Sequence, residues 1–122
     1  MSILGIHHAS VLVTDLERAR SFYEGILGLR INPLRPGKSF DGLWYDVGTE
    51  QIHLIVANGH DLGDETLLYP GIRRHVALRV TELHCIEKRL KDAGLPIFHS
   101  SSGRPVIFCR DFDGNAFELI EG

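Results

Sequence analysis

Two cysteines are all the chain has, and Cys85 and Cys109 stand apart with no C-x-x-C pair. That excludes a disulfide framework and disfavours a thiolate-held metal, so two reduced thiols are expected. No apolar run approaches the roughly 20 residues of a membrane-spanning helix. Met1-Ser2-Ile3-Leu4-Gly5 has neither the basic start nor the long apolar core of a signal peptide, so a cytoplasmic protein without membrane contact is expected. A cationic surplus is missing too. Lys and Arg number 13 against 16 Asp and Glu, a net charge of -3, which gives no electrostatic reason to expect nucleic acid. At 122 residues the chain is too short for two ordinary independent domains, and a single domain over 1–122 is expected. A core of that size needs no metal for stability, so any bound metal has to serve chemistry. What the chain has in quantity is histidine, with seven.

An internal repeat organises these residues. His8-Ala9-Ser10-Val11-Leu12-Val13-Thr14-Asp15-Leu16 lies over His75-Val76-Ala77-Leu78-Arg79-Val80-Thr81-Glu82-Leu83 at constant offset. Each copy begins as a short apolar strand and reaches a Thr placed to cap a helix, with Thr14-Asp15-Leu16-Glu17 reading as a capping box. Leu16, Ala19, Phe22, Tyr23, Ile26 and Leu27 then follow at helical spacing up to Gly28; Leu83, Ile86, Leu90 and Ala93 do so up to Gly94. Strands are expected over 30–32, 43–47 and 51–57 in the first half, and over 97–100, 106–110 and 116–120 in the second. The order strand, helix, strand, strand, strand is thus stated twice: module one about 3–58, module two about 72–122. A polar connector lies between them at about 59–71, and a second loop runs from Asn32 to Gly42.

Alternation along a strand assigns faces. Val76, Leu78 and Val80 should cover the helix, leaving Arg73, His75, Ala77 and Arg79 opposite; Ala9, Val11 and Val13 likewise leave His8, Ser10 and Leu12. Glu118 in the last strand and Gln51 and His53 in the first half's last strand add polar groups to the same concave side. His8, His53, His75 and Glu118 are therefore metal-competent, and imidazole with carboxylate suits Zn, Ni, Fe(II) or Mn. Taken singly, each is more often a hydrogen-bonded strand residue than a ligand; their repetition is what favours the metal. His7 faces away from His8 and reads as supporting it, while His60 and His84 read as solvated. Asp111-Phe112-Asp113-Gly114-Asn115 lacks the remaining positions of a calcium loop and reads as a turn between two strands.

The doubled unit resembles the vicinal oxygen chelate superfamily, which holds glyoxalase I, fosfomycin resistance proteins, extradiol dioxygenases, methylmalonyl-CoA epimerase and bleomycin resistance proteins. The residues that carry the resemblance are His8 before Ala-Ser-Val-Leu-Val-x-Asp-Leu, His75 before Val-Ala-Leu-x-Val, and Glu118 after Asp113-Gly114-Asn115. It implies an α+β fold of two tandem βαβββ modules forming an incomplete barrel around a divalent metal that the substrate chelates through two adjacent oxygens. It places His8, His75 and Glu118 at ligand positions, with Glu118 also able to act as base. His53 falls where glyoxalase I carries a carboxylate ligand, as a fourth ligand or a general base. A homodimer is implied as well.

The function so implied is a metal-dependent lyase or isomerase acting on a small oxygenated substrate. An Fe(II) extradiol-type dioxygenase and a metal-free small-molecule binding or resistance module are the alternatives. Leu12 stands where glyoxalase I enzymes tend to have an Arg for the glutathione carboxylate, and Arg79 takes the equivalent place in the other half. Arg79 is thus the expected anionic anchor, with Trp44, Tyr45, Arg104 and Phe108 as further substrate-binding candidates. Fosfomycin resistance enzymes continue past the last ligand to a phosphonate-binding Arg, whereas this sequence runs only to Gly122, which disfavours that activity.

Overall fold

A computed structural model of the protein describes residues 2–37, 41–57 and 70–122. The chain divides into two compact units, Met1–Leu62 and Gly63–Gly122, each holding one copy of the repeat. Most of the expected connector, with His60 in it, lies outside the described residues, as do positions 38–40 of the first loop.

In the first unit β1 (His8–Val13) leads to α1 (Leu16–Arg20), then to β2 (Arg30–Ile31), β3 (Gly42–Val47) and β4 (Glu50–Val56). The four strands form an open sheet in the order β1-β4-β3-β2, with β1 parallel to β4 and the other pairs antiparallel. The second unit repeats this with β5 (His75–Val80), α2 (Leu83–Asp92), β6 (Phe98–His99), β7 (Val106–Arg110) and β8 (Ala116–Glu121). Its order is β5-β8-β7-β6, and β5 is parallel to β8. The twice-stated βαβββ order therefore holds, within a residue or two at each strand end.

The helix starts differ from expectation. Asp15, not Thr14, caps α1: its Oδ1 accepts from the Arg18 N–H at 3.0 Å. At α2 the capping position falls on Glu82 in a left-handed conformation (φ 54°), with no bond from its own side chain. Glu121 of β8 takes over, its Oε1 accepting from the Leu83 N–H at 3.3 Å. After Arg20 the first helix widens into a π-helical segment, Ser21–Ile26, in which Leu27 N–H reaches back to Phe22 O. Apolar spacing does not encode that extra residue per turn, since Phe22, Tyr23 and Ile26 still face inward and Gly25 outward. Gly28 ends the segment at φ 74°, a conformation open to glycine.

Tyr23 and Tyr45 stack with ring centroids 5.8 Å apart, joining the helical segment of the first unit to its sheet. Tyr45 is fully buried and donates its hydroxyl to Glu24 at 2.8 Å, and Glu24 in turn accepts from Arg20 Nε at 2.7 Å. Burial and the Glu24 hydrogen bond push the Tyr45 phenol well above its usual range. In the second unit the described core includes Leu83, Ile86 and Leu90 of α2, with Ile107, Cys109, Phe117 and Leu119 of the sheet. Both cysteines are free thiols, as expected. The Asp111 turn also holds: its carboxylate accepts from the backbone N–H of Asp113 and Asn115 and from the Asn115 amide, all within 2.9 Å.

Candidate active site

In the first unit, register does the positioning. Ser10 of β1, His53 of β4 and Trp44 of β3 stand side by side across three strands, and strict alternation puts His8 one step along the same face. The buried His53 ring is sandwiched. It stacks on His8 at 3.8 Å (15° between planes) and on Trp44 at 4.3 Å (7°). His53 Nε2 lies 2.7 Å from Gln51 Oε1. An amide oxygen only accepts, so Nε2 carries the proton and Nδ1 is the basic nitrogen of the neutral ring. His7 shares a 2.8 Å Nδ1–Nδ1 hydrogen bond with His8 and meets it edge-on, which fixes the His8 ring. A cavity of about 260 Å³ opens here, lined by His8, Ser10, Arg35, Trp44 and His53 with Leu54 and Ile55.

The second unit places Ala77 of β5, Glu118 of β8 and Phe108 of β7 side by side in the corresponding way. His75 Nδ1 donates to the Arg73 carbonyl at 2.7 Å, which leaves Nε2 as a lone pair in the neutral ring and as a second donor in the imidazolium. Glu118 Oε1 lies 3.1 Å from that same Nε2, with the two side chains 24% and 16% exposed. Phe108, nearly buried, meets the His75 ring edge-on at 5.6 Å.

Two acceptors this close require a cation or a proton between them, and a divalent ion fits this donor set of one imidazole and one carboxylate. Among the described residues no group of three or more His, Cys, Asp and Glu side chains gathers as a metal cage. The structure supplies pairs, His8 with His53 and His75 with Glu118.

The expected substrate-binding residues divide. Trp44 lines the cavity and Phe108 flanks the His75–Glu118 pair. Tyr45, expected beside Trp44, is in the core instead, because neighbours on a strand point to opposite faces. Arg79 is exposed on β5, in register with Ile120 and on the His75 face. Arg104 sits on an exposed turn, its Nε held by Ser102 Oγ at 3.0 Å. Arg35 escaped the sequence reading, which treated 32–42 as loop, and its only signal was a lone cation between two prolines. His84 is exposed at the start of α2, as expected; His99 approaches Glu87 at 3.7 Å.

The profile of the Glyoxalase/Bleomycin resistance protein/Dioxygenase superfamily matches residues 5–119. The chain belongs to this superfamily. Among its superfamily relatives, the mitochondrial methylmalonyl-CoA epimerase of Bos taurus is 26% identical over 123 residues, which cover 88% of this chain and 67% of that protein. A protein of Synechocystis named "Probable lactoylglutathione lyase" is 26% identical over 121 residues, covering 93% and 92%. A glyoxalase family protein from Bacillus anthracis superposes with a TM-score of 0.76 at 26% identity, covering 100% of this chain and 98% of that one. The Listeria monocytogenes fosfomycin resistance protein FosX, solved with Mn(II) and 1S,2S-dihydroxypropylphosphonic acid, gives a TM-score of 0.76 at 21% identity, covering 98% and 93%. That last likeness shows the glyoxalase fold alone.

Proposed function

We propose that this protein is a divalent-metal-dependent lyase or isomerase of the glyoxalase type, acting on a small oxygenated substrate that meets the metal through adjacent oxygens. The observation that carries the reading is the His75–Glu118 pair: with Nδ1 committed to Arg73 O, Nε2 is the ring atom that faces the Glu118 carboxylate, the orientation a metal-binding imidazole needs. His8, His75 and Glu118 are assigned as ligands. A bound Zn, Ni, Fe(II) or Mn ion would supply Lewis acidity toward the substrate oxygens. His53, stacked on His8 and held through Nε2 by Gln51, is assigned to take and return a proton. Trp44 gives an aromatic wall to the cavity, and Phe108 keeps water from one edge of His75. The relatives that support the class are an epimerase and a lyase by name. A homodimer is proposed with it, since Ile3, Leu4 and Ile6 stand exposed as an apolar run of the kind a second copy covers.

The test is turnover of a panel of small hydroxy- and oxo-acids and their thioesters by chelator-stripped protein after adding back Ni, Zn, Mn or Fe(II). Activity restored by Ni, Zn or Mn supports the reading. Oxygen consumption with catechols under Fe(II) alone would move it to the dioxygenase class. Ligand-induced stabilisation indifferent to metal, with no turnover, would leave a binding module.

A further inference from the structure

We propose that Arg35 is the anion anchor of the first unit's cavity, and that the substrate carries a carboxylate or phosphate group on a planar or apolar body. The guanidinium is placed there by the fold. Asn32 N–H bonds Trp44 O at 2.8 Å, the Asn32 amide donates to Asp46 at 2.9 Å, and its oxygen accepts from Leu34 N–H at 2.8 Å. That clasp pins the turn leading out of β2 to the edge of β3 and delivers Arg35 to the cavity wall.

Gly42 makes the room. A Cβ at Gly42 would come within 3.2 Å of Arg35 Nη2, so the guanidinium lies over the strand where β3 has no side chain. Gly42 is in register with Ile55, and two further rows along the same face lead through His53 and Trp44 to Gln51 beside His8. At about 3.3 Å per residue the backbone rows of Ile55 and Gln51 are on the order of 13 Å apart, and the His8 ring leans from its row over His53.

The anionic group is therefore set toward the Gly42 end of the cavity, away from His8, with Trp44 and Ile55 between as aromatic and apolar surface. A cavity of about 260 Å³ admits a metabolite smaller than a drug-sized ligand. Arg suits this task because its planar fork meets carboxylate and phosphate oxygens in pairs. This replaces Arg79 as the first choice for the anchor.

The inference rests on the cavity being the substrate site of the proposed function, yet its test needs neither metal nor turnover. Trp44 is the chain's single tryptophan and lines the cavity, so its fluorescence reports occupancy. Benzoate, phenyl phosphate and neutral benzamide are titrated into chelator-stripped protein, with circular dichroism confirming that each variant is folded. Benzoate or phenyl phosphate should quench or shift Trp44 emission, benzamide should bind far more weakly, and the tighter of the two anions identifies the group. Arg35→Gln should weaken anion binding roughly ten- to a hundredfold, the loss of a charge-assisted hydrogen bond. Arg35→Lys should keep part of the affinity. No response to either anion, benzamide binding as well as benzoate, or Arg35→Gln binding like the unaltered protein would each overturn the proposal. None of these results depends on metal, so a failure of the metal reading is seen separately.

Discussion

His75 Nε2 and Glu118 Oε1 face each other across 3.1 Å while the other ring nitrogen, Nδ1, gives its proton to the Arg73 carbonyl at 2.7 Å. The backbone thus holds one proton on Nδ1, and the contact between Nε2 and the Glu118 carboxylate is bridged by the second proton of an imidazolium or by a metal ion.

Gly42→Ala should disrupt the first sheet. Its Cβ would collide with the backbone oxygen of Leu54 on the neighbouring strand, which cannot swing aside as a side-chain tip would. A loss of about 2–4 kcal/mol is expected, read as a lower urea midpoint.

Glu24→Ala should cost about 1–3 kcal/mol, because the buried Tyr45 hydroxyl loses its acceptor. The Arg20 hydrogen bond, with help from Tyr45 and against desolvation, holds the Glu24 carboxyl below its ordinary value of 4.5. Its contribution is therefore present above that value and lost as pH falls through the lowered one. Chemical denaturation of both proteins at about pH 7 and about pH 3 should show the difference between them shrinking in acid.

Alkylation of the native protein should label Cys85 and spare Cys109. Burial, with the Asp111 charge adding to it, pushes the Cys109 thiol up from 9.0 to about 12, and the side chain is fully enclosed. Raised thiol and phenol values at Cys109 and Tyr45 both stabilise the fold below their unfolded values of 9.0 and 10.0, and that stability fades as pH climbs past them. Peptide mass spectrometry after timed alkylation at neutral and alkaline pH checks both statements.

Glu82→Gly should stabilise the second unit by up to about 1 kcal/mol, since a left-handed residue before α2 suits glycine. Glu121→Ala should destabilise it by about 0.5–2 kcal/mol through loss of the only side-chain acceptor described for the first turn of α2, on Leu83 N–H. Thermal melts of the two variants should move in opposite directions.

The repeat made the fold legible, because His8 and His75 head strands whose apolar alternation continues unbroken to Val13 and Val80. The same period puts His8, Ser10, His53, His75 and Glu118 on one concave side; within the first unit the register aligns His8, Ser10 and His53 on one face, and within the second it aligns His75 and Glu118 on one face. Tyr45 was misplaced by grouping it with Trp44 against that very period. The caps at Asp15 and Glu82 were missed because each start is shifted one residue past the Thr, and α2 recruits Glu121 from a strand far along the chain. Arg35 was invisible because a loop has no period, and only the Asn32 clasp and the bare Gly42 reveal where it goes.

The central claim is the metal, and elemental analysis of the protein as purified tests it most directly, with His75→Ala and Glu118→Gln run alongside. The account predicts close to one Zn, Ni, Fe or Mn per site in the unaltered protein and a loss of ten- to a hundredfold or more in metal affinity in both variants. Metal-free protein that takes up none of these ions on dialysis, or variants that hold them as well as the original, would contradict it.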